Sequence, residues 1–221
     1  MEDSKVGRYH TPYCQGVFEA KDNEELQERY DAGAEGYEER VAKSGYIKKL
    51  PLMVTGLLCR YVKPNKGTIL DAGAGTGLIA EMIVPLGYKS IIGIDLSEGM
   101  LELAKAKGIY KELKQMVLGE TLDFPDDFFY ATVASGVFNV NHAPPESFDE
   151  LIRVTKPKGY IVFTVRDDAF EERGFKEKLA SLESDNKWKL VDVTERVKRW
   201  SFTAQLGDDK MANRAFAYQV T

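Results

Sequence analysis

Ile69-Leu70-Asp71-Ala72-Gly73-Ala74-Gly75-Thr76-Gly77 decides the fold. Ile69 to Ala72 is a short apolar run of the kind that forms a buried strand. Three alternating glycines then turn the chain into a helical run that begins near Thr76. Working outward, a second apolar run, Ile91-Ile92-Gly93-Ile94, ends in Asp95. A glycine loop after one strand and an acid at the end of the next form a nucleoside-binding arrangement. The glycines let the backbone approach a ligand with no Cβ in the way, and the acid offers two oxygens to the two hydroxyls of a ribose. The spacing argues against a dinucleotide. The fingerprint G-x-G-x-x-G would put its third glycine at position 78, which is Leu78, whereas the third glycine here is Gly77. A triphosphate loop would need Gly-Lys-Ser/Thr, and no lysine follows Gly77.

Strand and helix signals alternate on both sides of this stretch. Glu24 to Val41 reads as a helix interrupted at Gly33 and Gly36, and Tyr46 to Tyr61 as a second helix with Pro51 near its start. Lys63-Pro64-Asn65-Lys66-Gly67 is a turn. Strand one covers 68–72, followed by a helix over 76–84. Strand two covers 90–95, and a helix capped by Ser97 runs to Lys107 and closes at Gly108. Strand three is expected near 115–118 and strand four over 130–135. A helix from Pro145 to Thr155 precedes strand five at 159–165. The alternation calls for an α/β fold, a parallel sheet covered by helices on both faces. The tail differs. After a helix near 170–183, Trp188 to Thr194 and Arg214 to Val220 read as two strands without a helical crossover, for which an antiparallel pairing is the simplest connection.

At 221 residues and 43% apolar content, the chain is sized for one domain over residues 1–221. Residues 1–45 are read as an N-terminal arm and lid and 46–221 as the core. A net charge of −5 argues against a general nucleic-acid binder. Two cysteines, Cys14 and Cys59, and two histidines make neither a disulfide framework nor a metal centre. No apolar run approaches the ~20 residues of a membrane span, and Met1 to Lys5 is acidic and polar, unlike a signal peptide. The expectation is a cytoplasmic protein, monomeric or weakly dimeric, with no metal, membrane or nucleic-acid partner.

The pattern D-x-G-x-G-x-G at 71–77 resembles motif I of the class I S-adenosylmethionine (SAM) methyltransferases. Asp95-Leu96-Ser97-Glu98-Gly99-Met100-Leu101 resembles the family's D-x-S-x-x-M-L after strand two. Phe124-Pro125-Asp126-Asp127-Phe128-Phe129 resembles the P-x-x-x-F-D stretch before strand four, with Tyr130 in place of the last acid. Leu151 to Gly159 resembles the L-x-R-V-L-K-P-G-G that leads into strand five. Four such motifs stand in order, and the resemblance covers about residues 26–166. Segments 97–110 and 142–159 are also similar to the methyltransferase-like group encoded in the Williams–Beuren region and its bacterial relatives. The resemblance implies a Rossmann-like seven-stranded sheet in the order 3-2-1-4-5-7-6 with strand seven antiparallel.

It also implies SAM as cofactor, S-adenosylhomocysteine (SAH) as product, and a role for each matching residue. Asp71 would meet the ammonium of the SAM tail. Ala72, Gly73, Gly75 and Gly77 would pack against tail and ribose. Asp95 would accept the ribose hydroxyls, with Leu96 and Met100 flanking the adenine. Glu120 and Thr121 stand where the family binds the adenine amino group. Ser135 and Gly136 would line the sulfonium. Tyr30 to Tyr37 resembles the Y-D-x-x-A-x-x-Y-D opening of small-molecule methyltransferases, with Tyr37 closing over the SAM tail and Tyr30 as second choice. The Asn/Asp-Pro-Pro-aromatic tetrad of nucleobase methyltransferases is missing after strand four. The expected activity is therefore methyl transfer to an O or N atom of a small molecule. His142 is the candidate base, and Tyr9, Tyr13, Phe138, Asn139, Trp200 and Phe202 are candidate acceptor contacts. The alternative from another class is a SAM-binding sensor or scaffold without turnover.

Overall fold

The computed structural model describes residues 16–44, 48–197 and 212–221. Seven strands form one sheet in the order β3-β2-β1-β4-β5-β7-β6. β1 (Ile69–Ala72) and β2 (Ile91–Asp95) are buried at every position, as central parallel strands covered on both faces must be. β1 pairs in parallel with β2 and with β4 (Phe129–Phe138), and β4 with β5 (Thr155–Arg166). The last strand, β7 (Asn213–Val220), runs antiparallel to both β5 and β6 (Trp188–Val193).

One strand sits elsewhere than its apolar run suggests. β3 is Glu112–Gln115, ending before most of the expected 115–118, and its register pairs Ile92 with Glu112 and Asp95 with Gln115. It is a partly exposed edge strand. The apolar Met116 to Leu118 that marks the region in sequence leaves the sheet and turns toward the cleft described below. β4 runs past its expected end because a register shift between Ala134 and Phe138 accommodates Gly136 at φ +74°.

The N-terminal helical run divides, as its glycines suggest, into α1 (Asn23–Gly33) and α2 (Tyr37–Ser44), with Gly36 at φ +69° between them. In α3 (Lys49–Tyr61), Pro51 sits in the first turn, where no intrahelical bond is lost. α4 is Leu78–Ile83, α5 is Glu98–Ala106 and α6 is Ser147–Val154. Short α7 (Asp167–Glu172) and α8 (Phe175–Ser184) follow β5. Two apolar cores lie on the two faces of the sheet. One is aliphatic, built on Val54, Leu58, Ile83, Ile91 and Val162. The other is aromatic, with Phe148, Phe163, Phe175 and Trp188 packed around Phe138.

Phe138, an expected acceptor contact, faces the core instead. Its side chain is 0% exposed, its ring 4.5 Å from Phe148 and 5.7 Å from Phe175. At the far end of the shifted β4, the alternation of side chains sends it into the aromatic core.

The N-terminal helices lie over the C-terminal ends of the strands. Asp31 Oδ1 accepts hydrogen bonds from Ser97 Oγ at 2.5 Å and from the Gly99 N–H at 2.9 Å. A carboxylate there meets the unpaired N–H groups at the start of α5. Lys107 ties Glu38 of α2 to Glu81 of α4, and Asn141 Nδ2 donates to the Phe18 carbonyl at 2.8 Å. The segment from about residue 16 to 44 is thus docked as a cover on the sheet.

Candidate functional site

The cleft lies beneath that cover, at the C-terminal ends of the central strands, where open α/β sheets place ligands. Two chambers share Tyr30, Tyr37, Gly73, Gly75, Ser135, Gly136 and His142 in their walls. The first adds Asp95, Leu96, Met100 and Met116 to Leu118. The second adds Phe18, Leu50, Asp71, Thr76, Asn139, Arg166 and Asn213.

The glycine loop needs its glycines for two different reasons. Gly73 has φ +76°, and a Cβ there would lie 2.3 Å from Val137 Cγ2. Gly75 has φ +54°, but a Cβ there would meet nothing within 4 Å. Its backbone faces the open chamber. Gly77, at φ +93°, starts α4 and lies against Tyr110 rather than in the cleft.

Asp95 is held by backbone donors. Its Oδ2 accepts from the Gly75 N–H at 2.8 Å and its Oδ1 from the Ser97 N–H at 3.0 Å. Burial pushes its pKa above the ordinary carboxylate value, and these N–H groups oppose that shift. Each oxygen keeps a further lone pair for a ribose hydroxyl.

Asp71 differs. Its Oδ2 accepts from the Tyr110 hydroxyl at 2.6 Å, while its buried Oδ1 has no hydrogen-bond partner among the described residues. Burial, opposed by Tyr110 and aided by nearby Asp95, pushes its pKa up to about 7. The same burial and the Asp71 charge push the Tyr110 hydroxyl above its ordinary value. An orphaned buried carboxylate oxygen is costly, and a cationic ammonium relieves it. The residues present therefore fit the SAM ammonium and ribose.

His142 has both ring nitrogens engaged. Nδ1 lies 2.9 Å from the Val140 carbonyl, which can only accept, so Nδ1 carries the proton. Nε2 then accepts from the Tyr30 hydroxyl at 2.8 Å. The Phe18 ring packs at 5.1 Å from the imidazole. Burial, with the charge of Arg166 adding to it, lowers the pKa of His142 to about 4, so the ring is neutral at pH 7. Arg166 closes β5. Its Nε and Nη2 form a fork with Asp168 at 2.6 and 2.9 Å, and its guanidinium carbon lies 4.5 Å from the Phe18 ring centre.

Of the residues singled out in the sequence, the fold brings Tyr37, Asp71, Gly73, Gly75, Asp95, Leu96, Met100, Ser135, Gly136, Asn139 and His142 to the cleft. Ala72 is buried within β1, and Gly77 lies behind the loop. Glu120 and Thr121 are exposed and line an outer groove instead. Because β3 ends early, Met116 to Leu118 take the place expected for them. Tyr9, Tyr13, Trp200 and Phe202 lie outside the described residues. Tyr110, Val117, Arg166 and Asn213 were missed. Arg166 carried a signal, since it is a charged residue ending an apolar strand, the same signal that picks out Asp95. Tyr110 and Asn213 carried none, because their roles depend on which strands become neighbours.

A family described as "Methyltransferase domain" matches residues 70–163. Methyltransferase-like protein 27 of Homo sapiens is 34% identical over 143 residues, 63% of this chain and 57% of that protein. A demethylmenaquinone methyltransferase of Symbiobacterium thermophilum is 36% identical over 103 residues, 42% of this chain and 40% of that protein. The chain thus spans about half the length of the curated relatives it matches. Among solved structures, a SAM-dependent methyltransferase from Thermotoga maritima aligns with a TM-score of 0.58 at 18% identity, covering 86% of this chain and 97% of that one. At that identity the likeness establishes the fold alone.

Proposed function

We propose that residues 70–163, which match a methyltransferase-domain family, are a class I SAM-dependent methyltransferase domain, and that the protein transfers a methyl group from SAM to an O or N atom of a small molecule. The observation that carries this reading is the pair of adjoining chambers. One is lined by Asp95 and the apolar 116–118 segment, the other by polar and aromatic side chains under the same cover. Bound SAM supplies a methyl group on a positively charged sulfur, already activated toward a lone pair.

The chain's own residues do the rest. Asp95 and the Gly75 backbone hold the ribose, Asp71 holds the ammonium, and Leu96, Met100 and Val117 enclose the adenine. Tyr30, Tyr37 and Phe18 close over the chambers and exclude water. Alignment under such a cover supplies up to ~7–11 kcal/mol of barrier reduction. The acceptor's proton passes to the Tyr30 oxygen while the Tyr30 proton moves to His142 Nε2. His142 is the base in this scheme, but it acts through Tyr30. The cover formed by residues 16–44 opens to admit ligand and closes for transfer.

A net charge of −5 supports a small acceptor over a nucleic acid. Relatives named for demethylmenaquinone and for phosphatidylethanolamine support it as well. No described helix is long and apolar enough to cross a membrane, and cytoplasmic residence, as a monomer or weak homodimer, belongs to the same reading.

The engaged nitrogens of His142 favour one rival, a SAM sensor without turnover, because this candidate base does not stand bare in the cleft. Incubating the protein with methyl-labelled SAM and a small-molecule cell extract separates the two. Label transferred to an extract component supports the enzyme. SAM binding with no transfer supports the sensor.

A further inference from the structure

Resting on the methyl-transfer reading, we propose that the second chamber takes an acceptor bearing a carboxylate, anchored by Arg166, with its apolar body against Phe18 and Leu50. Among the described residues, Arg166 is the only cation in the wall of either chamber. Its side chain is 5% exposed, so it is not a solvated surface charge that happens to border the cleft.

The guanidinium is also oriented in advance. Asp168 occupies Nε and one edge of Nη2, and Phe18 covers one face. Nη1 makes no hydrogen bond to a described residue. The donors left over, on Nη1 and the outer edge of Nη2, form the second fork of a planar guanidinium, the geometry that matches two carboxylate oxygens. An arginine fixed in this way loses little side-chain freedom on meeting an anion.

The charge around the end of β5 points to a monoanion. Asp167 accepts from Arg196 at 2.6 Å and from Arg214 at 3.1 Å, and Asp168 pairs with Arg166. Among the described residues at this strand end, three arginines face two aspartates, a surplus of one positive charge. A carboxylate cancels it, whereas a phosphate dianion would overshoot.

The location points to acceptor rather than donor. β5 lies two strands from β1 in the sheet order, which at the usual strand spacing is ~10 Å across. Asp71, the expected partner of the SAM ammonium, lies on β1 one residue before its end. The ammonium and carboxylate of SAM share one carbon, so the donor's own carboxylate stays near β1. Arg166 stands instead beside His142 and Phe18, on the side where the proton of the acceptor must leave.

Calorimetry on the SAH-saturated full chain tests this, with 4-hydroxybenzoate as the probe and 4-hydroxybenzamide as its neutral counterpart. The wild-type protein should bind the acid at least about tenfold more tightly than the amide. Arg166→Gln should erase that preference and leave SAH affinity within about twofold. If that variant misfolds because Asp168 is left unpaired, Arg166→Gln with Asp168→Asn removes both charges and should give the same loss. Three results overturn the proposal. The wild type fails to prefer the acid, or binds phenyl phosphate more than tenfold better than the acid. Alternatively, Arg166→Gln weakens SAH and keeps the acid preference, which hands Arg166 to the tail of the donor. SAH binding is measured first, so its absence from the wild-type chain overturns the methyl-transfer reading separately, before any probe is added.

Discussion

The two ends of the cleft are made of different material. The donor end is built from backbone and from residues close together in the chain, with Asp71, Gly73, Gly75, Asp95, Leu96 and Met100 all on one β-loop-α-β-α unit. The proposed acceptor end is built from side chains drawn from far apart. Phe18 and Tyr30 come from the cover, His142 from the loop after β4, Arg166 from the end of β5 and Asn213 from the start of β7. A ligand common to many proteins can be met by a local turn and one acid. A particular acceptor needs side chains that only the assembled sheet and its cover bring together.

Breaking the acceptor end should produce the largest effects and leave the donor end untouched. Tyr30→Phe and His142→Gln should each lower turnover of an O–H acceptor by roughly 10²–10⁴-fold, with SAH affinity nearly unchanged by calorimetry. Full activity in either variant would make the Tyr30–His142 bond a latch for the cover, and alignment alone would then account for catalysis.

Within the donor end, backbone geometry should outweigh any single side chain. Gly73→Ala combines a left-handed φ with a 2.3 Å clash against Val137, which together should cost ~2–4 kcal/mol of stability in urea unfolding. Gly75→Ala meets no neighbour and should cost only ~1–2 kcal/mol, yet it should weaken SAH because its Cβ enters the chamber. Equal destabilisation by the two would show that the Val137 contact is unimportant.

Asp95→Ala should weaken SAH by ~1.5–3 kcal/mol, the range for losing hydrogen bonds to a charged group. Unchanged affinity in that variant would sink the ribose assignment.

The smallest effect is a pH dependence carried by Asp71. Burial raises its pKa from the ordinary carboxylate value to about 7, so the folded protein holds this proton more tightly than the unfolded chain does. Its contribution to the stability of the free protein is greatest below about pH 4 and is lost as pH rises through about 7. An ammonium ligand favours the charged carboxylate, so SAH affinity should rise about tenfold between about pH 6 and pH 8. Asp71→Asn should flatten that rise, and a wild-type affinity constant with pH would remove Asp71 from ammonium binding.

The sequence by itself determined the sheet, its alternation with helices, the glycine loop, Asp95 and the family resemblance. All of these follow from short-range pattern, since burial on two faces makes a strand apolar throughout and a close backbone approach demands glycine. Ser97 at the start of α5 and the antiparallel tail were legible for the same reason. Where one pattern served two ends, the reading slipped. The apolar Met116 to Leu118 marks a cleft wall, and β3 stops before it because an edge strand needs little burial. Phe138 is an aromatic near the site in sequence, but the register shift in β4 turns it into the core. Only the tertiary structure decided that Tyr110 holds one oxygen of Asp71 while the other has no partner among the described residues, that Tyr30 and His142 are bonded to each other in the cleft wall, and that Arg166 lines the second chamber. Each of these depends on which strand ends become neighbours, and no local spacing records that, because hydrogen bonds between distant residues form only after the sheet has set their separation.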